Sequence, residues 1–524
     1  MTHAAVSILF TDGESESPRT TEPDYFHDLH LDAVTDAIVG QEDLFDIRPW
    51  FCTPLRDIRE VRLRQSVYHD LDADLAVRTT FVRFGDGMRT IRTLLSQLAD
   101  ATTEIERLGW QVDLIRAYVE VALRLRTDLA EHRPAAPALR AMAEHVDAEV
   151  NSPDFQQLRT TAAEMDDALE QIVYSVRIRD LQVTVQHFDG QPEVLERTRA
   201  LLGRFDERQP PDDAHHKAAQ PSTAPPAAHQ PELNRIESSI LALVAELFPQ
   251  QFSRLRSFVA ANRDFIDPTL RRLDRELQFY LRYRAYITSL RHAGLQFCYP
   301  TVCDVPAATW TIDAFDIALA ATLSINDPDA AVVVNSLRLT PPEQLIVITG
   351  PNQGGKTTFA RMVGQLHHLA ALGLPIPGSD AQVGLFDEIY THFERAEVAT
   401  DERSKLEDEL IRMHHTVSAA TCRSIVILNE SFSSTSLHDA RLLGGSVLTT
   451  LADIGVRGVY VTFVDELSRL SPNTVSMVSC TDPDDPARRT FAVVRRPADG
   501  QAFAAALAEK YHLAAADIDR RLER

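Results

Sequence analysis

The chain has 524 residues, 44% hydrophobic and 25% charged, with a net charge of −23. That length exceeds one ordinary core and predicts about two to four domains of ordinary globular composition. The acidic balance excludes a protein that coats nucleic acid over its whole surface, because phosphate neutralisation supplies most of that affinity; any DNA contact needs a local basic patch, weak binding or a closing clamp.

The five cysteines (Cys52, Cys298, Cys303, Cys422 and Cys480) form no CxxC pair. They suggest neither a zinc site nor a disulfide framework, and a reducing, cytoplasmic setting is expected. The opening MTHAAVSILFTDGESESP has no basic n-region and no long apolar run, so no secretory signal is expected. No stretch reaches the ~18 apolar residues of a membrane span.

Residues 1–40 read as an N-terminal extension ending in the short amphipathic piece FHDLHLDAVTDAIV. Residues 41–315 read as mostly helical. Met88, Ile91, Leu95 and Leu98 recur at the helical period, and few Gly or Pro residues interrupt 88–130. A break follows at His132–Pro137, and a further helical stretch is predicted to about residue 205. The segment 208–232, rich in Pro, Ala and polar residues, cannot bury enough surface to offset its ordering entropy and predicts a disordered loop. Ile236, Ile240, Leu243 and Leu247 resume the helical spacing, and another helix is predicted over about 265–292. That helix carries Arg271, Arg272, Arg275, Arg282 and Arg284. Such a run either touches a phosphate backbone or is a helix face whose Arg stems cover apolar neighbours.

Near residue 316 the grammar changes. LIVIT (345–349), SIVIL (424–428) and GVYVTF (458–463) are continuous apolar strands alternating with helices. They predict an α/β domain over 316–505, its parallel sheet covered on both faces, followed by a C-terminal helix over 506–524.

Gly350-Pro351-Asn352-Gln353-Gly354-Gly355-Lys356-Thr357 fits GxxxxGK[ST] and lies between a strand and a helix. Glycines admit backbone N–H groups to phosphates, and the helix N-terminus adds its positive dipole end. The pattern predicts ATP and Mg²⁺ as cofactors. Residues 350–357 and Thr358 would form the cradle, Lys356 would reach the β- and γ-phosphates, and Thr357 would hold Mg²⁺. The second strand ends in Asn429-Glu430. Asn429 stands where P-loop ATPases usually place a metal-supporting Asp; its amide can bond a metal-bound water but brings no charge. Glu430 is the candidate general base.

ITGPNQGGKTTFAR resembles the phosphate loop of the MutS family, TGPNMGGKST. Further stretches follow in family order. Leu385–Thr391 is similar to IDRIFTR, Ser404–Glu409 to STFMVE, Leu428–Asp439 to MDEIGRGTSTYD, and Val461–Leu467 to ATHYFEL. More loosely, Arg62–Gln65 with Val67 resembles the family's core-lever region and Phe297–Thr301 the stretch entering its ATPase domain. The resemblance implies an ABC-type ATPase domain behind a helical lever or clamp, a homodimer with Asp439 near its seam, and DNA and other repair proteins as partners. Ser404 would act on the γ-phosphate of the opposite subunit's nucleotide. On its residues alone, Ser404 reads as an ordinary helix cap before an acidic helix. Phe463 stands where the family has a phosphate-sensing His, so slower hydrolysis is expected. With only about 40 residues before the lever-like region, the mismatch-reading and connector domains are expected to be absent. A nucleotide-gated scaffold with little catalysis is the competing expectation.

Overall fold

The strand pattern of the C-terminal third builds a six-stranded sheet. Its strands are β1 (Leu345–Thr349), β2 (Ile389–His392), β3 (Ile425–Asn429), β4 (Arg457–Val461), β5 (Thr474–Thr481) and β6 (Arg489–Arg495). The order across the sheet is β2-β3-β4-β1-β5-β6, parallel throughout except for the antiparallel pair β5–β6. Every residue of β1 is buried, as a strand covered on both faces requires. Three helices matter to the site: α1 (Lys356–Ala371), α2 (Lys405–Ala419) and α3 (Leu437–Ile454). Leu345, Val347, Val426, Leu428 and Tyr460 pack with Leu448 and Leu451 of α3 in one buried cluster.

This is a computed structural model, and it describes residues 6–11, 19, 21–40, 43–179, 182–188, 235–304, 308–327, 331–394, 405–482, 485 and 488–498. The expected loop 208–232, Ser404 and the expected helix 506–524 lie outside the described residues.

By its contacts the chain divides into two compact units that do not follow the linear boundaries 1–40, 41–315 and 316–505. One comprises residues 1–82, 129–145 and 268–524, and the other residues 83–128 and 146–267.

In the first unit, the N-terminal residues are part of the packed body. Short helices at Tyr25–Asp28 and Leu31–Val39 lie on α1. Gln365 Nε2 donates to Leu29 O at 2.9 Å, Arg361 Nε donates to Asp28 O at 3.0 Å, and Thr391 Oγ1 donates to Asp28 Oδ2 at 2.6 Å. Leu29 sits so close to Gly364 that a Cβ there would stand 2.5 Å from Leu29 Cδ1. Residues 7–9 are tied down by Glu276, which accepts from Ser7 Oγ and Ile8 N–H at 2.7 Å each, and by the buried Arg64, which donates to Leu9 O at 3.2 Å. A second, four-stranded sheet runs through Thr301–Cys303, Asp380–Gly384, Thr309–Ala314 and Asn335–Leu339.

The arginine-rich helix, Pro268–His292, belongs to the same unit. Arg272 Nη2 donates to Val6 O at 2.6 Å, Arg275 pairs with Asp46 at 2.7 Å, Arg282 donates to Val39 O, and Arg284 pairs with Asp72 at 3.2 Å. Neither a phosphate contact nor a solvated face describes these four side chains, which are anchored internally to distant parts of the same unit.

Among its described residues, the second unit is helical with one hairpin. The helical pattern of 88–130 is divided where Leu75–Asp100 ends and Glu104–Glu131 begins. Thr103 Oγ1 accepts from Glu106 N–H at 3.2 Å while Glu106 Oε2 accepts from Thr103 N–H at 3.4 Å, a capping box that starts a new helix without Gly or Pro. The helix expected to run to about 205 stops at Glu170, and an antiparallel hairpin, Tyr174–Arg179 with Gln182–His187, follows. Its alternating β-branched residues, Val176, Ile178, Val183 and Val185, favour a pleated strand over a helix. Tyr118 anchors this unit, its ring against Phe155 and Phe265 and its hydroxyl accepting from Asp267 N–H at 3.0 Å.

Candidate functional site: the turn after β1

The turn between β1 and α1 is shaped by backbone torsions and close approach. Gly350 and Gly355 have φ of 118° and 89°, in the region L side chains rarely adopt. Gly354 is glycine for space: a Cβ would collide with Ser479 Oγ of β5 and stand 2.9 Å from Pro351 O. Ser479 Oγ donates to Gly354 O at 2.5 Å, and Arg489 Nε of β6 donates to Asn352 O at 3.2 Å. The turn is therefore braced by β5 and β6. Asn352 and Gln353 are exposed, Pro351 is buried, and Thr358 is half-buried one position into α1 from Thr357.

Lys356 opens α1 with its side chain 4% exposed. Its Nζ donates to Gly350 O at 2.8 Å and Asn352 Oδ1 at 3.3 Å, and lies 4.0 Å from Glu430 Oε1. Burial lowers its pKa; the charges of Glu430 and then Asp465 oppose that shift, and Arg489 adds to it. Thr357 Oγ1 donates to Asn429 Oδ1 at 2.9 Å, joining the turn to the end of β3. Tertiary packing thus brings Lys356, Thr357, Asn429 and Glu430 together across 72 or more positions of sequence, the interval between Thr357 and Asn429.

Glu430 leaves β3 with φ 53°, its N–H donating to Val461 O of β4 at 2.9 Å and its carboxylate part exposed. Two residues that the sequence reading did not single out hold the following loop. His392 Nδ1 is hydrogen-bonded to Ser431 Oγ at 3.0 Å, and the buried Glu409 of α2 accepts from Phe432 N–H at 3.1 Å. Glu409 ends the stretch likened to STFMVE, and His392 follows the one likened to IDRIFTR, so both lay at the margins of motifs. Asp439 accepts from the N-capping Ser436 Oγ at 2.8 Å in the exposed first turn of α3. Phe463, just beyond β4, is exposed, while its neighbour Thr462 is buried and donates its N–H to Ile348 O at 3.0 Å.

Among the described residues, no group of three His, Cys, Asp or Glu side chains is placed to hold a metal by itself. Neither is any helix among them long and apolar enough to cross a membrane.

A parallel sheet with a glycine turn feeding a helix, a lysine at the helix start and a carboxylate opposite defines an ATPase-type domain. The family description "MutS domain V" matches residues 346–504, and over that region this chain is similar to MutS proteins. It is 34% identical over 140 residues to the DNA mismatch repair protein MutS of Zymomonas mobilis, a match covering 26% of this chain and 16% of that protein. The proteins of the same description from Shouchella clausii and an Exiguobacterium species are each 30% identical, over 140 and 151 residues, covering 26% and 29% of this chain and 16% and 18% of theirs. The matched segment thus spans under a fifth of the length of these relatives.

Proposed function

We propose that this chain binds and hydrolyses ATP with Mg²⁺ through a P-loop ATPase domain, and works as a homodimer whose helical arm grips DNA in repair or recombination. The observation that carries this reading is the Lys356 ammonium, held inside a turn of glycines 4.0 Å from the Glu430 carboxylate, with the neighbouring Thr357 hydroxyl bonded to Asn429. Its two partners in the turn are a carbonyl and an amide oxygen. Both are neutral acceptors that a doubly charged phosphate outcompetes.

The residues present fit a triphosphate and a divalent ion. Gly350 and Gly355 hold positive φ angles, the torsions by which a glycine loop turns backbone N–H groups toward an anion at a helix start. Thr357 Oγ1 and Asn429 Oδ1 are the hard oxygen donors that would hold the divalent ion beside the phosphates. Mg²⁺, when bound, neutralises charge on the β- and γ-phosphates. Lys356 orients and stabilises the transferred group. Glu430, held at positive φ by its bond to β4, accepts the proton of an attacking water. Ser404 of a second copy would complete the site in a dimer, and Asp439 would lie near that seam.

Asn429 and the exposed Phe463 favour a second reading, a nucleotide-gated dimeric scaffold with slow turnover. Steady-state ATP hydrolysis, measured with and without homoduplex, mismatched, branched and single-stranded DNA, separates the two. Stimulated turnover with a DNA shift supports the first. Nucleotide binding without turnover or DNA binding leaves only the scaffold.

A further inference from the structure

The exit of β4 carries a charge that the proposed chemistry does not use. Val461 pairs with Asn429 of β3 on one side, and its other neighbour across β4 is Ile348 of β1. The chain leaving β4 therefore emerges between the strand ending in Asn429-Glu430 and the strand feeding the phosphate turn. Thr462 N–H donates to Ile348 O at 3.0 Å, Val464 N–H donates to Thr462 Oγ1 at 3.1 Å, and Val464 is buried. These contacts fix a bend that delivers Asp465 as the first residue of a short 3-10 helix, Asp465–Arg469. Among the described residues, the half-buried Asp465 carboxylate has no hydrogen bond or ion pair. Its neighbour Glu466 is exposed and lies 3.9 Å from Arg441. Asp465 is near enough to Lys356 that its charge, after that of Glu430, opposes the effect of burial on the ammonium.

We propose that Asp465 supplies, from the next strand, the negative charge that Asn429 leaves out at the end of β3, and so makes nucleotide binding depend on a divalent cation. The inference rests on the nucleotide reading above. Thr357 and Asn429 offer only neutral oxygens, so without a further carboxylate the attraction for a divalent ion would come from the phosphates and Glu430 alone. A carboxylate beside the triphosphate repels it when no cation is present and attracts the cation when one is, so one group acts with opposite sign in the two conditions.

The test is an equilibrium titration of the full chain with fluorescent N-methylanthraniloyl-ATP, in Mg²⁺ and in EDTA, paired with electron paramagnetic resonance of Mn²⁺ taken up with ATP. Asp465→Asn is expected to shrink the Mg²⁺-dependent gain in affinity by roughly five- to tenfold, chiefly by tightening binding in EDTA, and to weaken Mn²⁺ uptake. Adding Asn429→Asp to that variant restores the gain, and Glu466→Gln leaves it at the wild-type value. If Asp465→Asn binds labelled ATP with an unchanged gain and unchanged Mn²⁺ uptake, Asp465 is a bystander and the nucleotide reading stands. If the wild-type chain binds labelled ATP in neither buffer, the nucleotide reading fails and takes this inference with it.

Discussion

The glycine turn after β1 and the strand exits facing it are built by different means. The turn at 350–357 is defined by backbone: positive φ at Gly350 and Gly355, and a Gly354 whose missing Cβ makes room for Ser479. The exits at 429–436 and 462–465 are defined by side chains that hold one another, with Thr357 on Asn429, His392 on Ser431 and Glu409 on Phe432 N–H. A backbone cradle accepts few replacements, because the torsion or the space is lost outright. A side-chain constellation can exchange members while keeping its shape, and it is here that this chain departs from the MutS pattern, at Asn429 and Phe463. Binding is thus expected to be less changeable than turnover.

Substitutions sharpen the contrast. Lys356→Ala removes the only ammonium bound to the turn carbonyl Gly350 O among the described residues, and is expected to weaken labelled-ATP binding by about 10³-fold in a fluorescence titration; near-normal affinity would place the nucleotide elsewhere.

The next effect tests the support behind α1. The fully buried His368 has its pKa lowered to about 4 by burial. Phe51 O can only accept, so His368 Nε2 carries the proton, and Nδ1 accepts from Tyr25 OH at 3.1 Å. Because the folded pKa lies below the unfolded value near 6.5, the unfolded chain takes up the proton first as pH falls. Stability is therefore full above about pH 6.5 and declines toward pH 4 by on the order of 3 kcal/mol. Denaturant titrations of wild type and His368→Gln across that window should show a smaller slope with pH in the variant.

Glu430→Gln is expected to retain nucleotide binding and to slow hydrolysis by about 10²-fold, with an ATP-bound dimer accumulating on size-exclusion. Unchanged turnover would move the general base elsewhere. The smallest effect is expected at Asn429→Asp, which keeps the acceptor for Thr357 Oγ1 and adds charge. Turnover should stay equal or rise a few-fold; a sharp loss would give the amide a role of its own.

The legible parts of this molecule are those in which neighbours in sequence are neighbours in space. A run such as LIVIT followed by GPNQGGKT declares its strand, turn and helix because the requirements of each are met within a few residues. The arginine run of 271–284 was legible as chemistry but not as purpose, since its partners Val6, Asp46, Val39 and Asp72 lie some 200 or more positions away. The hairpin after Glu170 reads as helix in the sequence because its period-2 pattern is only six residues per strand.

Local chemistry alone determined the candidate cradle, the candidate base and the parallel-sheet grammar, because torsion, periodicity and motif spacing are short-range properties of a chain. Only the tertiary structure decided that Asp28 and Leu29 brace α1, that Ser479 backs the glycine turn, and that the chain bearing Asp465 leaves β4 between the exits of β3 and β1. Those placements depend on strand order, and the sheet inserts β4 between β3 and β1 through long-range pairing that no local pattern encodes.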